Sequence, residues 1–263
     1  MGTAEADFQP LRDGSSGGHY SGLRSQIFDG LPVEDQLTGF GVVEAARAAA
    51  EFFEVPVPGA RVGIEGFGKV GGGAARFFAR AGAQVVAVST LAGTRFDPQG
   101  LDIDRLFALR HAYGDEAVCH YPHGKLLPRN RLFTLPIDIL IPGARPDAIH
   151  SKNVERIQAK LVVPGANIPF TRSIANQLSD RGIGVVPDFV SNGGGVLAAL
   201  ADIEGLDIEG AFRLVRERIG ANTALVLRHS REHRCTPFDA ALEIIRERWQ
   251  HTAPSDRTLA TEP

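Results

Sequence analysis

Cysteine is scarce in this sequence. Cys119 and Cys235 are the two it has, and they lie far apart. That excludes a cysteine-rich zinc site and a disulfide-stapled scaffold. Unpaired thiols suit a reducing compartment, so a cytoplasmic setting is expected. Long apolar runs are missing too: no stretch of about 18 apolar residues occurs, and no transmembrane helix is expected. The opening MGTAEADFQPLRDGSSGG lacks a basic start and an apolar centre, so it does not read as a secretory signal. Charge of one sign is not in excess. A net charge of −3 gives no basic surface for nucleic acid as the main partner. What is present is ordinary for a globular protein: 263 residues, 43% hydrophobic and 22% charged. That is enough chain to bury a core, and it argues against wholesale disorder.

Residues 1–32 carry scattered Gly, Ser and Asp with no sustained period, and read as a loose leader. A domain is expected over 33–252, and a polar, frayed tail over 253–263. Thr38–Phe53 is Ala-rich with helical spacing, and Pro56 and Pro58 end it. Arg61–Glu65 (RVGIE) reads as a strand, Val70–Ala81 as a helix with Gly82 at its C-terminal cap, and Gln84–Val88 as a second buried strand. That order is a βαβ unit, whose strands run parallel. Alternation continues through a helix at Leu101–Ala112, a strand at Ile137–Ile141, and a helix at Ser151–Lys160 capped by Ser151. Then come a strand at Leu161–Val163, a helix at Thr171–Arg181 capped by Thr171, and a strand at Gly184–Val186. After Gly195 the pattern is wholly helical. Ile208, Phe212, Val215 and Ile219 share one face, and Pro237 opens a last helix through Trp249.

The strongest local signal is Gly66-Phe67-Gly68-Lys69-Val70-Gly71, which stands between the first strand and its helix. In G-x-G-x-x-G the first glycine permits a tight turn. The second leaves room for a pyrophosphate, and the third lets the helix pack close to the strand. The helix start then offers free amides to phosphate. In this context dinucleotide binding is preferred over a plain tight turn. The acid that would hold the adenosine ribose should close the second strand. Ser89-Thr90 stands there instead, which leans toward NADP or toward relaxed preference between NAD and NADP. Arg95 has two readings, a ribose-phosphate contact or a solvated loop cation, and the second is favoured. Three further segments close predicted strands: Pro142–Ala144, Pro164–Thr171 and Pro187–Gly195. Within them Asn167 and Asn192 have two readings that stand level: an amide offered to the nicotinamide end, or a turn residue. His229 and His233 are spaced i, i+4 on a predicted helix. In their Arg-rich run they read as a solvated face, and no metal site is expected.

Taken in order, TGFGVV at Thr38, GFGKVG at Gly66, VVAVS before Ser89, DPQGLD at Asp97, DILIPGA at Asp138, GAN-x-P-x-T at Gly165 and VVPD-x-x-x-N-x-GGV at Val185 form a specific set. From Thr38 to Trp249, about four fifths of the chain, they resemble the cofactor-binding domain of the glutamate, leucine, phenylalanine and valine dehydrogenases, nearest to the glutamate branch. The resemblance implies an α/β fold: a Rossmann-like, doubly wound, mostly parallel sheet with C-terminal helices packed on it, binding NAD or NADP. Thr38 would help hold the nicotinamide end, and Asn167 and Asn192 would sit near the nicotinamide ribose. Lys69 takes a place usually held by Asn, beside the cofactor phosphates. The family has a serine for the substrate carboxylate where this chain aligns Ala199; the other reading of Ala199 is helix packing.

The family also carries a preceding domain with substrate lysines and an aspartate that moves protons. Here 37 residues precede Thr38 and contain no lysine, and Gly14–His19 is glycine-rich without one. The chain's four lysines, Lys69, Lys125, Lys152 and Lys160, lie outside any such motif. Asp188, close to the predicted nicotinamide end, reads as a structural acceptor for backbone amides. No catalytic residue is therefore assigned. Two function classes follow: the cofactor-binding part of an amino-acid dehydrogenase, complemented by a separate substrate-domain polypeptide, or a non-catalytic nucleotide-binding or regulatory module, a truncated remnant included. A nicotinamide dinucleotide is the expected small-molecule partner, and a homo-oligomer is a further expectation; neither nucleic acid nor a membrane is expected.

Overall fold

The computed structural model describes residues 22–252. The first part of the leader, the Gly14–His19 stretch and the tail from 253 lie outside the described residues. Residues 22–32 have structure of their own. A 3-10 turn at Leu23–Ser25 leads into a two-stranded antiparallel hairpin, β1 (Ile27–Phe28) and β2 (Leu31–Pro32). Leu23 is fully buried, and the Gln36 amide donates to the carbonyls of Phe28 and Leu31 at 2.6 and 3.0 Å. Those bonds tie the hairpin to α1 (Val33–Phe52). The helix starts five residues before the Ala-rich stretch, and Glu34 and Asp35 in its first turn complement the helix dipole.

Among the described residues the main sheet has seven strands, in the order β6 (Lys125–Leu127), β5 (Gly93–Phe96), β4 (Gln84–Thr90), β3 (Arg61–Glu65), β7 (Ile139–Pro142), β8 (Leu161–Val162) and β9 (Gly184–Val185). Five are parallel: β3 (Arg61–Glu65), β4 (Gln84–Thr90), β7 (Ile139–Pro142), β8 (Leu161–Val162) and β9 (Gly184–Val185). The chain leaves β3 through α2 (Lys69–Arg80) to β4 on one side, and returns to β7 on the other. The order therefore reverses between β3 and β7, the place where open α/β sheets bind ligands. Apolar residues alternate between the two faces, as a pleated strand requires. Ile139 and Ile141 of β7 join one core cluster and Leu140 the other. Among the described residues no helix is long and apolar enough to cross a membrane.

Local signals set several boundaries. Asp102 caps α3 (Ile103–Tyr113), Thr171 caps α5 (Arg172–Asp180) and Asp207 caps α8 (Ile208–His233), each by accepting a backbone N–H three residues on. Gly82 follows α2 with φ +80°, which suits the C-terminal stop read from the sequence. Between these lie α4 (Ala117–His120), α6 (Asp188–Ser191) and α7 (Gly194–Ile203), and α9 (Pro237–Thr252) closes the described chain.

Two sequence readings differ from the structure. β5 (Gly93–Phe96) and β6 (Lys125–Leu127) add an antiparallel edge to the sheet. Strands of four and three residues show no period of their own; pairing of β5 with β4, and of β6 with β5, creates them. The helix expected at Ser151–Lys160 is absent, and only the 3-10 turn Val154–Arg156 forms. Ser151 is no cap there. Asn153 accepts from the His150 N–H and donates to the Ala148 carbonyl. The Arg181 guanidinium takes the carbonyls of Val154 and Ile157, which would otherwise continue a helix.

At Gly39, α1 lies directly against the backbone of α2. A Cβ on Gly39 would lie 2.4 Å from the Ala74 nitrogen, whereas one on Gly73 would meet nothing closer than 3.4 Å. Gly39→Ala should therefore cost about 1–3 kcal/mol of stability through overpacking. Gly73→Ala, in the same interface, should be neutral or gain up to about 1 kcal/mol from lost backbone freedom in the unfolded chain. Urea unfolding of the two variants measures the contrast; equal losses would show that the crossing tolerates or rejects both alike.

Candidate dinucleotide-binding cleft

A cleft of about 670 Å³ opens at the C-terminal edge of β3, β4 and β7. Its floor is the turn that links β3 to α2. Gly66 there has φ +88°, a conformation glycine adopts freely, and its N–H donates to the Ser89 carbonyl at 2.8 Å. A Cβ on Gly71 would stand 2.0 Å from the Gly66 oxygen, so only glycine lets α2 pack this close to the strand. A Cβ on Gly68 would meet nothing within 4 Å: it points into open space. Gly68 is also the N-terminal cap of α2, and no side chain caps the helix. The first-turn amides are thus left to a ligand or to water.

Of the residues singled out in the sequence, Thr38, Gly66, Phe67, Gly68, Lys69, Val70, Ser89, Thr90 and Ala199 all line this cleft. Gly71 lies directly behind it. Thr38 and Ala199 arrive from α1 and α7. These helices meet at Gly194, where a Cβ would be 2.2 Å from the Leu37 carbonyl oxygen. Asn167 and Asn192 are not in the lining. Asn192 spends its amide donors on the Asn167 side-chain oxygen at 2.7 Å and the Ala166 carbonyl at 3.2 Å. Asp188 accepts the Ile168 N–H at 2.7 Å, the structural role read for it.

The electrostatics alter several expectations. Lys69 turns toward the first turn of α1, with Nζ 2.6 Å from an Asp35 oxygen and 3.4 Å from Glu34. The Asp35 hydrogen bond is the main reason its pKa is raised. Glu34 also holds Arg24 at 2.9 Å, so the cations of this wall are already paired with acids. Arg95 fits neither of its two readings. It lies buried on β5 and donates to the carbonyls of Val118, Cys119 and His123 at 2.7, 3.0 and 3.4 Å. Burial lowers its pKa, and it braces α4 and the segment that follows. The Thr90 hydroxyl is likewise engaged: it donates to the Asp115 carbonyl at 2.6 Å and accepts from the Ala92 N–H.

Sequence reasoning missed Arg24, Glu34, Leu91, Asp115 and Arg129 in the lining, and Glu65 beside it. Most come from segments with no motif of their own. Glu65 did leave a signal, as the acid that closes an apolar strand directly before the glycine turn. It is 1% exposed. One oxygen lies 3.1 Å from Arg145 and 3.7 Å from Arg129, and the other has no hydrogen-bond partner. Burial pushes its pKa up, and the two arginines offset that only in part.

Comparison with known proteins agrees with this geometry. The Glutamate/Leucine/Phenylalanine/Valine dehydrogenase family model matches residues 30–218. The chain belongs to that family. It is 40% identical over 178 residues to the glutamate dehydrogenase of Thermotoga maritima, covering 65% of this chain and 42% of that one. It is 36% identical over 183 residues to the NADP-specific glutamate dehydrogenase of Saccharolobus shibatae, covering 70% and 43%. Among solved structures, the hetero-hexameric glutamate dehydrogenase from Thermus thermophilus, in its Leu-bound form, superposes with a TM-score of 0.75 at 28% identity. That match covers 85% of this chain and 53% of the other. The chain spans about two fifths of the length of these curated relatives. In this dehydrogenase-family chain, the Rossmann-type architecture read from the motifs is the one observed.

The raised pKa of Glu65 has a stability consequence. A carboxyl whose folded pKa lies above its unfolded value stabilises fully below the unfolded pKa and loses that contribution as pH rises through the folded one. Glu65→Gln removes the buried charge. Its stability advantage over the parent should be largest at about pH 8 and shrink as pH falls toward about 4. Urea midpoints across that range measure it; a constant difference would show that the Glu65 pKa is unshifted.

Proposed function

We propose that the cleft binds a nicotinamide dinucleotide, and that this chain supplies the cofactor side of hydride transfer in an amino-acid dehydrogenase of the glutamate type. One observation carries the reading: Gly68 faces open space over the uncapped start of α2, at the point where the strand order reverses. With Lys69 neutralised by Asp35 and Glu34, the pyrophosphate would be held mainly by backbone amides and the helix dipole. The bound nicotinamide would supply the hydride acceptor or donor. Thr38 and Ala199 stand on the α1–α7 side of the cleft, where the resemblance places the nicotinamide and the substrate side chain. Ala199 offers no hydrogen bond to a side-chain carboxylate.

A substrate-binding polypeptide region beside the cleft completes the reading. The outer face of α7 supports it. Val196, Leu200 and Ile203, at i, i+4 and i+7, are 76%, 37% and 60% exposed, and Val196 also lines the cleft. An exposed apolar stripe at the mouth of the cleft is the kind of surface that a further domain covers.

Gly68→Val adds its side chain where nothing in the protein is displaced. The fold should survive, while affinity for NADPH and NADH falls at least tenfold, about 1.4 kcal/mol. Calorimetric titration beside a thermal melt reads both. Unchanged affinity would place the site elsewhere.

Cofactor choice is a separate matter. Thr90 lacks a carboxylate to repel a 2′-phosphate, and its hydroxyl is committed to the turn. NADPH should bind no more weakly than NADH. Leu91, 72% exposed in the same lining, is the position at which to add a carboxylate without breaking that turn. Leu91→Asp should shift the ratio toward NADH by about tenfold. A parent that already prefers NADH tenfold would overturn this assignment.

A further inference from the structure

At the junction of α8 and α9, far along the chain from the cleft motifs, three kinds of metal-ligating side chain come together. α8 ends at Arg234, which takes the left-handed conformation with φ 53° and ψ 38°. That turn folds the chain back on itself. The Cys235 N–H donates to the Ser230 carbonyl at 3.1 Å, and the Ser230 hydroxyl donates to the Cys235 carbonyl at 2.6 Å. The Cys235 side chain is thereby held beside the last turns of α8. α9 then starts under a Thr236 cap, whose hydroxyl accepts the Asp239 N–H at 3.2 Å. Its buried Ala240, Ala241 and Ile244 pack with Val226 of α8. This packing brings Glu243 against His229.

The ligand atoms of His229, Cys235 and Glu243 all lie within 4.8 Å of one another, and each residue is half-buried. The His229 Nε2 and a Glu243 oxygen are 2.8 Å apart. His233 stacks on the His229 ring, with centroids 4.0 Å apart, and its Nδ1 meets the His229 carbonyl. The solvated-face reading of the His229/His233 pair therefore does not hold for His229. Its side chain is 13% exposed, and its ligand-bearing neighbour is Cys235 rather than His233.

We propose that His229, Cys235 and Glu243 form a divalent transition-metal site of the zinc class, clipping α9 to α8. An imidazole nitrogen, a thiolate and a carboxylate are all ordinary zinc ligands, and together they leave a fourth, open position for water. The thiolate selects against magnesium and calcium, which take oxygen ligands. Thiolate and carboxylate bring two negative charges against the two of the ion, so the half-buried site is neutral when filled. Zinc bonds of about 2.0–2.3 Å set tetrahedral ligand separations of roughly 3.3–3.6 Å. The His229–Glu243 pair must open by about half an ångström from 2.8 Å, and Cys235, whose ligand atom lies within 4.8 Å of the others, must close by up to about 1.2 Å. Both are side-chain movements at the junction of α8 and α9. Burial, then the carboxylates of Glu243 and Asp239, keep the free thiol protonated at neutral pH. Metal entry releases that proton to solvent.

The test uses the full chain, stripped with a chelator and dialysed, and titrated calorimetrically with zinc chloride. One ion should bind per chain, with a Kd of about 10 µM or tighter. Cobalt(II) should give a thiolate charge-transfer band in the near ultraviolet. Cys119→Ser should keep both the stoichiometry and the band. Cys235→Ser, a near-isosteric change, should abolish the band and weaken zinc binding at least tenfold. Glu243→Gln keeps a hydrogen-bonding partner for His229 but loses the charge, and should also weaken binding at least tenfold; it decides the matter if Cys235→Ser fails to fold. Zinc binding weaker than about 10 µM, or binding that survives Cys235→Ser or Glu243→Gln unchanged, overturns the proposal.

Discussion

α1 lies against the backbone of two other helices, and the cleft depends on that approach. A Cβ on Gly39 would collide with α2, and one on Gly194 of α7 would collide with the Leu37 carbonyl of α1. Because the backbones approach this closely at Gly39 and Gly194, Thr38 of α1 reaches the same cleft as the start of α2 and Ala199 of α7. Dispersion at such close backbone contacts is strong only where the surfaces fit, so the arrangement is rigid. The glycine turn after β3 repeats the device on a smaller scale. There the Gly71 backbone abuts the Gly66 oxygen, which fixes the height of α2 above the sheet edge.

The charges around the cleft are compensated within the protein. Lys69 and Arg24 are paired with Glu34 and Asp35, and Arg129 and Arg145 converge on the buried Glu65. A phosphate entering here meets fixed amide dipoles more than free cations, and the helix start carries the burden of binding. Glu65 carries the opposite strain. Its charged form is poorly solvated and only partly met by two half-exposed arginines, which makes the strand end a pH-sensitive point beneath the cofactor turn.

The junction of α8 and α9 follows a different logic. The apolar contact of Val226 with Ala240, Ala241 and Ile244 sets the helices side by side, and the polar groups meet as a consequence. The left-handed Arg234 puts Cys235 into that meeting. This region lies beyond residue 218, where the family match ends.

The sequence by itself determined the parallel βαβ start, the glycine turn, the Thr171-capped helix and the family. Each of these depends on local periodicity or on short-range contacts: Thr171 caps α5 with its own side chain, and Gly71 is required by a backbone five residues away. The tertiary structure alone decided the rest, because the partners come from distant segments. Arg95 became a buried brace because the carbonyls of Val118, Cys119 and His123 surround it, and the Ser151–Lys160 helix was lost to Arg181. β5 forms because β4 offers it an edge, and β6 because β5 does so in turn. The pairing of Asn167 with Asn192, the two arginines on Glu65, and the nearness of His229, Cys235 and Glu243 are long-range meetings of single side chains. No periodicity encodes such meetings; they follow from how the helices pack once the core has formed.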